Sequence, residues 1–262
     1  MITLMKLAIY SKANLKEHPI KVSLTDDLRA LGHEVVELEQ LCEATDCQYL
    51  LVFGGDGTML YVASRTNCPI LGINLGNVGF LTQMESDVDV NEIISALTGG
   101  SIVHRPLLEV SIGDEKFLAL NDFVIKTTSP RPISLSVKID GKFVDKYHAD
   151  GLIVSTPAGS TAYSLSAGGP ILSPDVKAIV INPICAHSLH SRPLIVSDHY
   201  KLDIEIDGEK PWLIVDGREQ VALDDYSNIQ IYVSDKKAQF IEDKNNFYNK
   251  LLEKMNKWGV TK

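Results

Sequence analysis

The run Gly54-Gly55-Asp56-Gly57-Thr58 stands where an apolar stretch, Tyr49 to Phe53, breaks off and a helical pattern, Met59 to Ser64, begins. Glycines at such a turn let backbone N–H groups approach a phosphate closely, and the N-terminus of the following helix adds partial positive charge. Gly54, Gly55, Gly57 and Thr58 therefore read as a phosphate-binding loop. A carboxylate has an electrostatic reason to avoid polyphosphate unless it accepts a proton, binds a phosphate-associated metal or hydrogen-bonds a hydroxyl. Each of those roles belongs to phosphoryl transfer. Asp56 is thus the candidate catalytic residue. The alternative makes Asp56 a helix N-cap and the glycines simple turn formers.

A second candidate runs from Ala149 to Pro170, ADGLIVSTPAGSTAYSLSAGGP. Asp150 is its one charged residue, while Ser155, Thr156, Ser160, Thr161, Tyr163, Ser164 and Ser166 supply hydroxyls among small apolar side chains. Such a surface suits a neutral, hydrogen-bonding ligand such as adenosine, whose ring takes flat apolar contact and a few placed donors and acceptors. Asp150 could accept hydrogen bonds from a ribose. Read for local structure alone, the segment is a strand, Gly151 to Ser155, passing through a Pro-Ala-Gly turn into a Ser-capped helix. That accounts for Gly159 and Ser160 but leaves the density of hydroxyls unexplained. Asn121-Asp122 follows the apolar run Phe117 to Leu120. An Asn amide there could read an adenine edge, with the carboxylate beside it taking a further polar contact; an ordinary turn is the alternative.

Other chemistries lack their residues. There is no GxxxxGK[ST], and Gly72, Gly76 and Gly79 have the wrong spacing for GxGxxG, so neither a P-loop enzyme nor a Rossmann dehydrogenase is supported. His104-Arg105-Pro106 lacks the catalytic Asp of a protein kinase, and no Asp-Phe-Gly occurs. The cysteines Cys42, Cys47, Cys68 and Cys185 form no CxxC pair and read as reduced, partly buried thiols. No HExxH occurs, and no residue is assigned to a metal.

The elements that must position these residues divide the chain. Apolar runs at Lys6–Tyr10, Glu34–Leu38, Tyr49–Phe53 and Cys68–Ile73 alternate with helical patterns, one carrying Ile20, Leu24, Leu28 and Leu31 before Gly32, another carrying Val90, Ile93, Ile94 and Leu97 before Gly99-Gly100. This alternation predicts an α/β domain with an open, largely parallel sheet over residues 1–100. Beyond it, short strands separated by Gly113-Asp114, Asp140-Gly141, Asp207-Gly208 and Asp216-Gly217 predict a mainly β domain over residues 101–235, with a hairpin of Ile133–Ile139 and Lys142–Tyr147. Further strands are expected at Ala178–Ile181, Lys201–Ile206, Pro211–Val215, Ile229–Val233 and Ala238–Glu242. Residues 236–262 read as a strand and a helix. Over Asn245–Trp258 of that helix, Phe247, Tyr248, Leu251, Leu252 and Met255 form one apolar face.

The chain has 262 residues with 25 Lys+Arg against 34 Asp+Glu, a formal net charge of -9. That argues against duplex nucleic acid or an anionic membrane as partner. With no apolar stretch of spanning length and no basic-then-apolar N-terminus, the protein is expected in the cytoplasm.

Taken together, GGDGT, the Asn-acidic pair and DGLIVSTPAGSTAYSLSAGGP, in that order, resemble the NAD kinase family, which moves the terminal phosphate of ATP onto the 2′-hydroxyl of the adenosine ribose of NAD. GGDGT is shared with diacylglycerol and sphingosine kinases, whereas the long hydroxyl-rich segment is not expected in them. The resemblance implies the family's two-domain fold, with the C-terminal segment 236–262 returning to the first domain, and assigns Asp56 as general base, with Gly57 beside it on the nucleotide. It places Asn121, Asp122 and the run Thr161, Ala162, Tyr163, Ser164, Leu165 and Ser166 around NAD, and Asp150 near the other half of the dinucleotide. Arg131, His148 and Cys185, and Arg218 or Gln220, fall near further ligand-contacting positions. His148 stands where many relatives carry Arg, making one cationic contact pH-dependent. Asp122 replaces the commoner Glu, and Ala158 replaces a Thr. The implied partners are NAD with ATP or polyphosphate, a divalent cation such as Mg²⁺ carried with ATP, and a second copy or copies of the chain in a homodimer or homotetramer. A lipid kinase and a non-catalytic NAD-binding regulator are the alternatives.

Overall fold

Runs of four to six apolar residues are too short for buried helices and become strands, joined in the first part of the chain by helices of one or more turns. The computed structural model describes residues 4–41, 47–76, 79–188, 190–208, 211–223, 226–242 and 246–259. Cys42, positions 77–78 of the glycine-spaced loop and Asn245 lie outside the described residues. The chain divides into two units, residues 1–104 with 238–262, and residues 105–237.

The first unit alternates β1 (Lys6–Ser11), α1 (Pro19–Ala30), β2 (Glu34–Leu38), β3 (Tyr49–Phe53), α2 (Asp56–Ala63), β4 (Ile70–Ile73) and α3 (Val90–Gly99). Strand β1 pairs in parallel with β2 and β3, and β3 with β4, giving the order β2-β1-β3-β4. Parallel neighbours need a crossover, which α1 and α2 supply. Leu50, Leu51, Val52 and Phe53 are fully buried, the signature of a strand covered on both faces. Pro19 sits in the first turn of α1, where its missing N–H costs nothing, and Gly32 at φ +89° releases the chain after the last turn. Helix α3 opens on a reciprocal cap: Asp89 accepts from the Asn91 and Glu92 N–H groups, and Glu92 accepts from the Asp89 N–H.

From β5 (Ser101–Ile112) onward the structure is mainly β: β6 (Glu115–Ala119), β7 (Asp122–Lys126), β8 (Ile133–Ile139), β9 (Lys142–Ala149), β10 (Gly151–Ser155), the single turn α4 (Tyr163–Ser166), β11 (Ala178–Ile184), β12 (Leu194–Ser197), β13 (Leu202–Asp207), β14 (Trp212–Val215) and β15 (Glu219–Ala222). Six strands form an antiparallel sheet in the order β12-β11-β10-β7-β14-β15. A second antiparallel set joins β13 to β8 and β8 to β9. Alternate residues of both, among them Phe123 and Ile125, Leu152 and Val154, Leu135 and Val137, share one core. The tight turns are built by positive φ at Asp140 (46°) and Gly141 (76°), and again at Asp216 (48°) and Gly217 (65°). The chain ends with β16 (Asn228–Glu242) and α5 (Asn246–Gly259). The C-terminal part of β16 meets β4 in parallel through Phe240 and Ile70, inside the first unit.

The predicted fold class, a largely parallel α/β unit and a mainly β unit, is the one observed. Several details differ. The two strands expected at Ile229–Val233 and Ala238–Glu242 are one strand of 15 residues. The polar Ser234 to Lys237 stretch stays extended because Ser234 and Tyr232 both donate to the Glu109 carboxylate on β5, so the polar groups are satisfied without a turn. Strand β4 starts at Ile70, after Pro69, and the Cys68 N–H bonds the Thr66 hydroxyl instead of a sheet neighbour. Strand β11 continues through Pro183 to Ile184; β12 pairs only with Ala178 to Ile181, so Pro183 lies past its end, where a missing N–H does not break that ladder. The apolar face read on α5 is split: Phe247 and Leu251 are half-buried, whereas Tyr248, Leu252 and Met255 are exposed. Cys68 is buried and Cys47 half-buried, but Cys185 is exposed, because the chain turns through φ +49° directly after β11 and carries it out of the sheet.

Phe240 fastens the far end of β16 to β4 and is 1% exposed. Phe240→Ala is expected to cost about 3–5 kcal/mol of stability, measured as a lower urea midpoint at unchanged m-value.

Candidate active site

In the first unit, β3 delivers the chain to Gly54, whose N–H donates to the Ile73 carbonyl at 3.0 Å. Gly54 adopts φ +152°, and a Cβ there would lie 2.5 Å from the Thr58 hydroxyl. It is a glycine that the fold itself requires. A Cβ on Gly55 or Gly57, by contrast, would meet nothing within 4 Å, so packing does not call for glycine at these two positions. The five-residue loop thus divides its work. The Thr58 N–H is engaged by the Gly55 carbonyl at 2.8 Å, beginning α2.

Gly55, not Asp56, is the N-cap of α2. The Asp56 carboxylate turns to a different stretch of chain: Oδ2 accepts from the Phe80 N–H and Oδ1 from the Leu81 N–H, both at 2.9 Å. A Cβ on Gly79 would come within 2.0 Å of Oδ1, so the missing side chain is what admits this grip. The gripping segment is itself fixed. Gln83 accepts from the Gly72 N–H and donates to the Leu81 carbonyl, and buried Asn74 donates to Glu85. Asp56 keeps about a third of its side chain exposed, 34%, with spare lone pairs on both oxygens.

Two lysines of α5, not foreseen from the sequence, stand behind this loop. Lys250 donates to the Thr82 carbonyl and, at 3.5 Å, to that of Phe80. Burial lowers its pKa, opposed by the negative charges of Glu242, Asp56 and Glu85. Lys254 places its ammonium 4.0 Å from Asp56 Oδ2 and 3.9 Å from the centre of the Phe80 ring. Their spacing of four on one helix face was a legible signal.

In the second unit, Asn121 and Asp122 sit where β7 begins, and the loop is organised by Asp216. Its carboxylate accepts from the N–H groups of Leu120 (2.9 Å), Asn121 (2.7 Å) and Asp122 (3.1 Å). From the other side the Thr156 N–H and the Ser155 hydroxyl donate to the Asn121 carbonyl, while the Thr156 hydroxyl donates to that of Leu120. Gly159 packs so close that a Cβ would lie 2.2 Å from the Asn121 oxygen. The structure thus brings the Asn-acidic pair and the start of the hydroxyl-rich segment together. Asp122 is buried, and desolvation with the neighbouring Asp216 charge raises its pKa to about 7. Burial likewise raises Asp216, to about 6, against the pull of its three N–H donors and Arg218. Asp216 appeared in the sequence as part of a turn; its tertiary partners were not readable there.

The hydroxyls divide into two groups. Ser155, Thr156, Ser160 and Ser164 are buried. Ser160 donates to the Pro157 carbonyl at 2.6 Å and accepts from the Leu172 N–H, and Ser164 accepts from Asn182. Their density is therefore explained by the need to satisfy an irregular buried backbone. The expected Ser-capped helix is corrected as well: a 3-10 turn, Ala158–Thr161, precedes α4, whose N-cap is Ala162 with no side-chain cap bond. Thr161, Ala162 and Leu165 are half-buried, and Tyr163 and Ser166 are exposed.

Asp150 and His148 flank Ala149 at the end of β9. The Asp150 N–H donates to the Ile184 carbonyl, beside Cys185. His148 is exposed, 3.2 Å from the Ser134 hydroxyl, with its ring edge-on to His187. Arg131, Arg218 and Gln220 are exposed. Among the described residues no three His, Cys, Asp or Glu side chains converge as a metal site, and no helix is long and apolar enough to cross a membrane.

Residues 6–102 match the family model of the ATP-NAD kinase N-terminal domain, and residues 120–243 that of the ATP-NAD kinase C-terminal domain. An NAD kinase of Desulforamulus reducens is 38% identical over 261 residues, covering 93% of this chain and 90% of the relative. One from Methanothermobacter thermautotrophicus is 36% identical, covering 91% and 88%. Among solved structures, an NAD kinase from Archaeoglobus fulgidus in complex with ATP superposes with a TM-score of 0.85 at 29% identity, over 96% of this chain and 99% of that one. The yeast NADH kinase complexed with NADH has a TM-score of 0.87 at 24% identity and shares the fold. The chain belongs to the NAD kinase family. It is an enzyme with NAD kinase activity, not a lipid kinase and not a non-catalytic NAD-binding protein.

The Asp122 shift has a definite sign. Below pH 4 the carboxyl is protonated both folded and unfolded; between about 4 and 7 the unfolded chain ionises first, so rising pH removes stability, and above 7 the loss is complete. Asp122→Asn abolishes that slope and should gain stability relative to the wild type by roughly 1 kcal/mol per pH unit across this window, read from urea melts at pH 4.5, 6 and 8. Gly79→Ala should displace the Asp56 carboxylate and lower kcat at least about 100-fold with the fold retained by circular dichroism.

Proposed function

We propose that the chain transfers the terminal phosphate of ATP to the 2′-hydroxyl of the adenosine ribose of NAD, with Asp56 as the general base. The observation that carries the reading is the carboxylate itself: held by the Phe80 and Leu81 N–H groups, it lies beside Gly55 and Gly57, where no neighbouring atom fills the space a Cβ would take. Lone pairs left on its oxygens accept the ribose proton as the hydroxyl oxygen attacks the terminal phosphorus and the bond to the leaving ADP breaks. Base assistance of this kind is worth about 10²- to 10⁴-fold, and positioning supplies much of the remainder. The Archaeoglobus fulgidus relative's complex with ATP supports ATP as donor.

On this reading NAD is held by Asn121 and Asp122, by Thr161, Ala162, Tyr163, Leu165 and Ser166, and by Asp150. The open side chains among them take the adenosine, and buried Ser164 acts by fixing Asn182, whose amide donates to its carbonyl and its hydroxyl. Arg131, His148 and Cys185 extend the same surface. The donor enters as its magnesium complex, the ion bound to phosphate oxygens and water; it offsets phosphate charge, and Mg²⁺ characteristically needs few protein ligands. The enzyme works in the cytoplasm as a homodimer or homotetramer.

Purified protein given NAD⁺, ATP and Mg²⁺ should form NADP⁺, and Asp56→Asn should lower kcat by about 10²- to 10⁴-fold while NAD⁺ binding, followed by calorimetry, stays within about threefold. Wild-type turnover in the variant would remove the base assignment. Formation of NADP⁺ from polyphosphate but not from ATP would change the donor.

A further inference from the structure

Helix α5 offers the loop around Asp56 an unusual face. Phe247 packs on Phe80 with ring centroids 6.4 Å apart, Lys250 donates to the Phe80 and Thr82 carbonyls, and Lys254, one turn on, lies over the Phe80 ring. The apolar Tyr248, Leu252 and Met255 are exposed instead. A helix that turns lysines inward and leaves apolar side chains in water loses hydrophobic stabilisation and must desolvate ammonium groups. Lys250 has a structural reason to be there, because it ties the helix to the backbone that grips Asp56. Lys254 has a different environment. Its ammonium is 4.0 Å from Asp56 Oδ2, within electrostatic reach but too far for a hydrogen bond, and its side chain is 18% exposed.

We propose that Lys254 is a second catalytic residue of the phosphoryl transfer, its ammonium binding the transferring phosphoryl oxygens beside Asp56. The inference rests on the kinase reading above. A hydroxyl donating to Asp56 must stand about 2.7 Å from the carboxylate, and the phosphorus it attacks lies one short contact further. An ammonium 4.0 Å from the same carboxylate reaches an oxygen of that phosphoryl group without leaving its seat on Phe80. As the attacking oxygen forms its bond to phosphorus and the bond to ADP breaks, the proton passes to Asp56 and the phosphoryl oxygens carry the negative charge. Lys254 supplies a preorganised positive charge there and exchanges no proton. Phe80 serves both groups: its backbone N–H holds Asp56 and its ring face carries the ammonium.

The test compares wild type, Lys254→Met, Lys254→Gln, Lys254→Arg, Asp56→Asn and the exposed-site control Met255→Ala in steady-state NADP⁺ formation, with melting curves and NAD⁺ calorimetry on each. For Lys254→Met and Lys254→Gln we expect kcat to fall about 30- to 300-fold, NAD⁺ affinity to stay within about threefold, and the melting temperature to stay near that of wild type. Lys254→Arg should recover most of the rate and Met255→Ala all of it. Wild-type kcat in either neutral variant overturns the proposal. So does a loss of rate that follows a loss of melting temperature or is not recovered by Arg, since both mark a structural role. If the wild type forms no NADP⁺ from any donor, the kinase reading fails first, an outcome the Asp56→Asn and wild-type arms distinguish from failure at Lys254.

Discussion

Two backbone N–H groups hold the Asp56 carboxylate, the group proposed as the general base. An aspartate in the first turn of a helix ordinarily folds back on its own helix, and its rotamer would then point at the helix amides. Here the Phe80 and Leu81 N–H groups draw it across to a separate loop, so both oxygens have fixed positions. The close approach is possible because Gly79 has no side chain, and it is durable because Gln83 and Asn74 stitch the same loop to β4. The parallel sheet, α2 and the 79–85 loop all contribute to the placement of one functional group. A base held this way needs no reorganisation when the hydroxyl arrives, which is the condition under which positioning contributes most to rate.

The second unit uses a carboxylate in the opposite sense. Asp216 organises backbone, gathering three N–H groups of the 120–122 loop, while Asp122 beside it is buried and raised to about 7. Burial is the first cause of both raised values, and the Asp216 charge adds to the rise at Asp122. What the corner supplies in return is a rigid β7 entry, locked also by Ser155, Thr156 and the bare Gly159. The side chain of Asn121 is presented from a backbone whose N–H and carbonyl are both taken. Loops with satisfied backbone can hold ligand-binding side chains as firmly as regular elements do.

Helix α5 departs from a simple amphipathic pattern. Its hydrophobic side chains repeat at helical spacing, yet beside Phe247 two lysines also make inward contacts, one with carbonyl oxygens and one with an aromatic face and the Asp56 charge. Aromatic faces and carbonyl oxygens are among the few partners that compensate a desolvated ammonium without a full ion pair. The arrangement adds positive charge beside the acid in a chain whose net charge is -9.

The α/β-then-β order, the hairpin turns at Asp140-Gly141 and Asp216-Gly217, the strand-to-helix turn at GGDGT and the strand that opens the hydroxyl-rich segment were all legible from residue types and spacing, because strand and helix periods and positive-φ turns are local properties. The split within those motifs was not. Gly54 serves the fold while Gly55 and Gly57 are uncrowded, and Ser155, Thr156 and Ser160 satisfy buried backbone and Ser164 the Asn182 amide while Tyr163 and Ser166 are exposed. A polar residue looks the same in sequence whether its partner is a ligand or a carbonyl thirty residues away. The partners of Asp56, the role of Asp216 and the inward turn of Lys250 and Lys254 join segments separated by 24 residues (Asp56 to Phe80) up to 254 − 56 = 198 residues (Asp56 to Lys254). By itself, then, the sequence determined the elements and the chemical groups available; the tertiary structure decided which group meets which, because long-range contacts depend on how buried polar atoms are jointly satisfied and not on local preference.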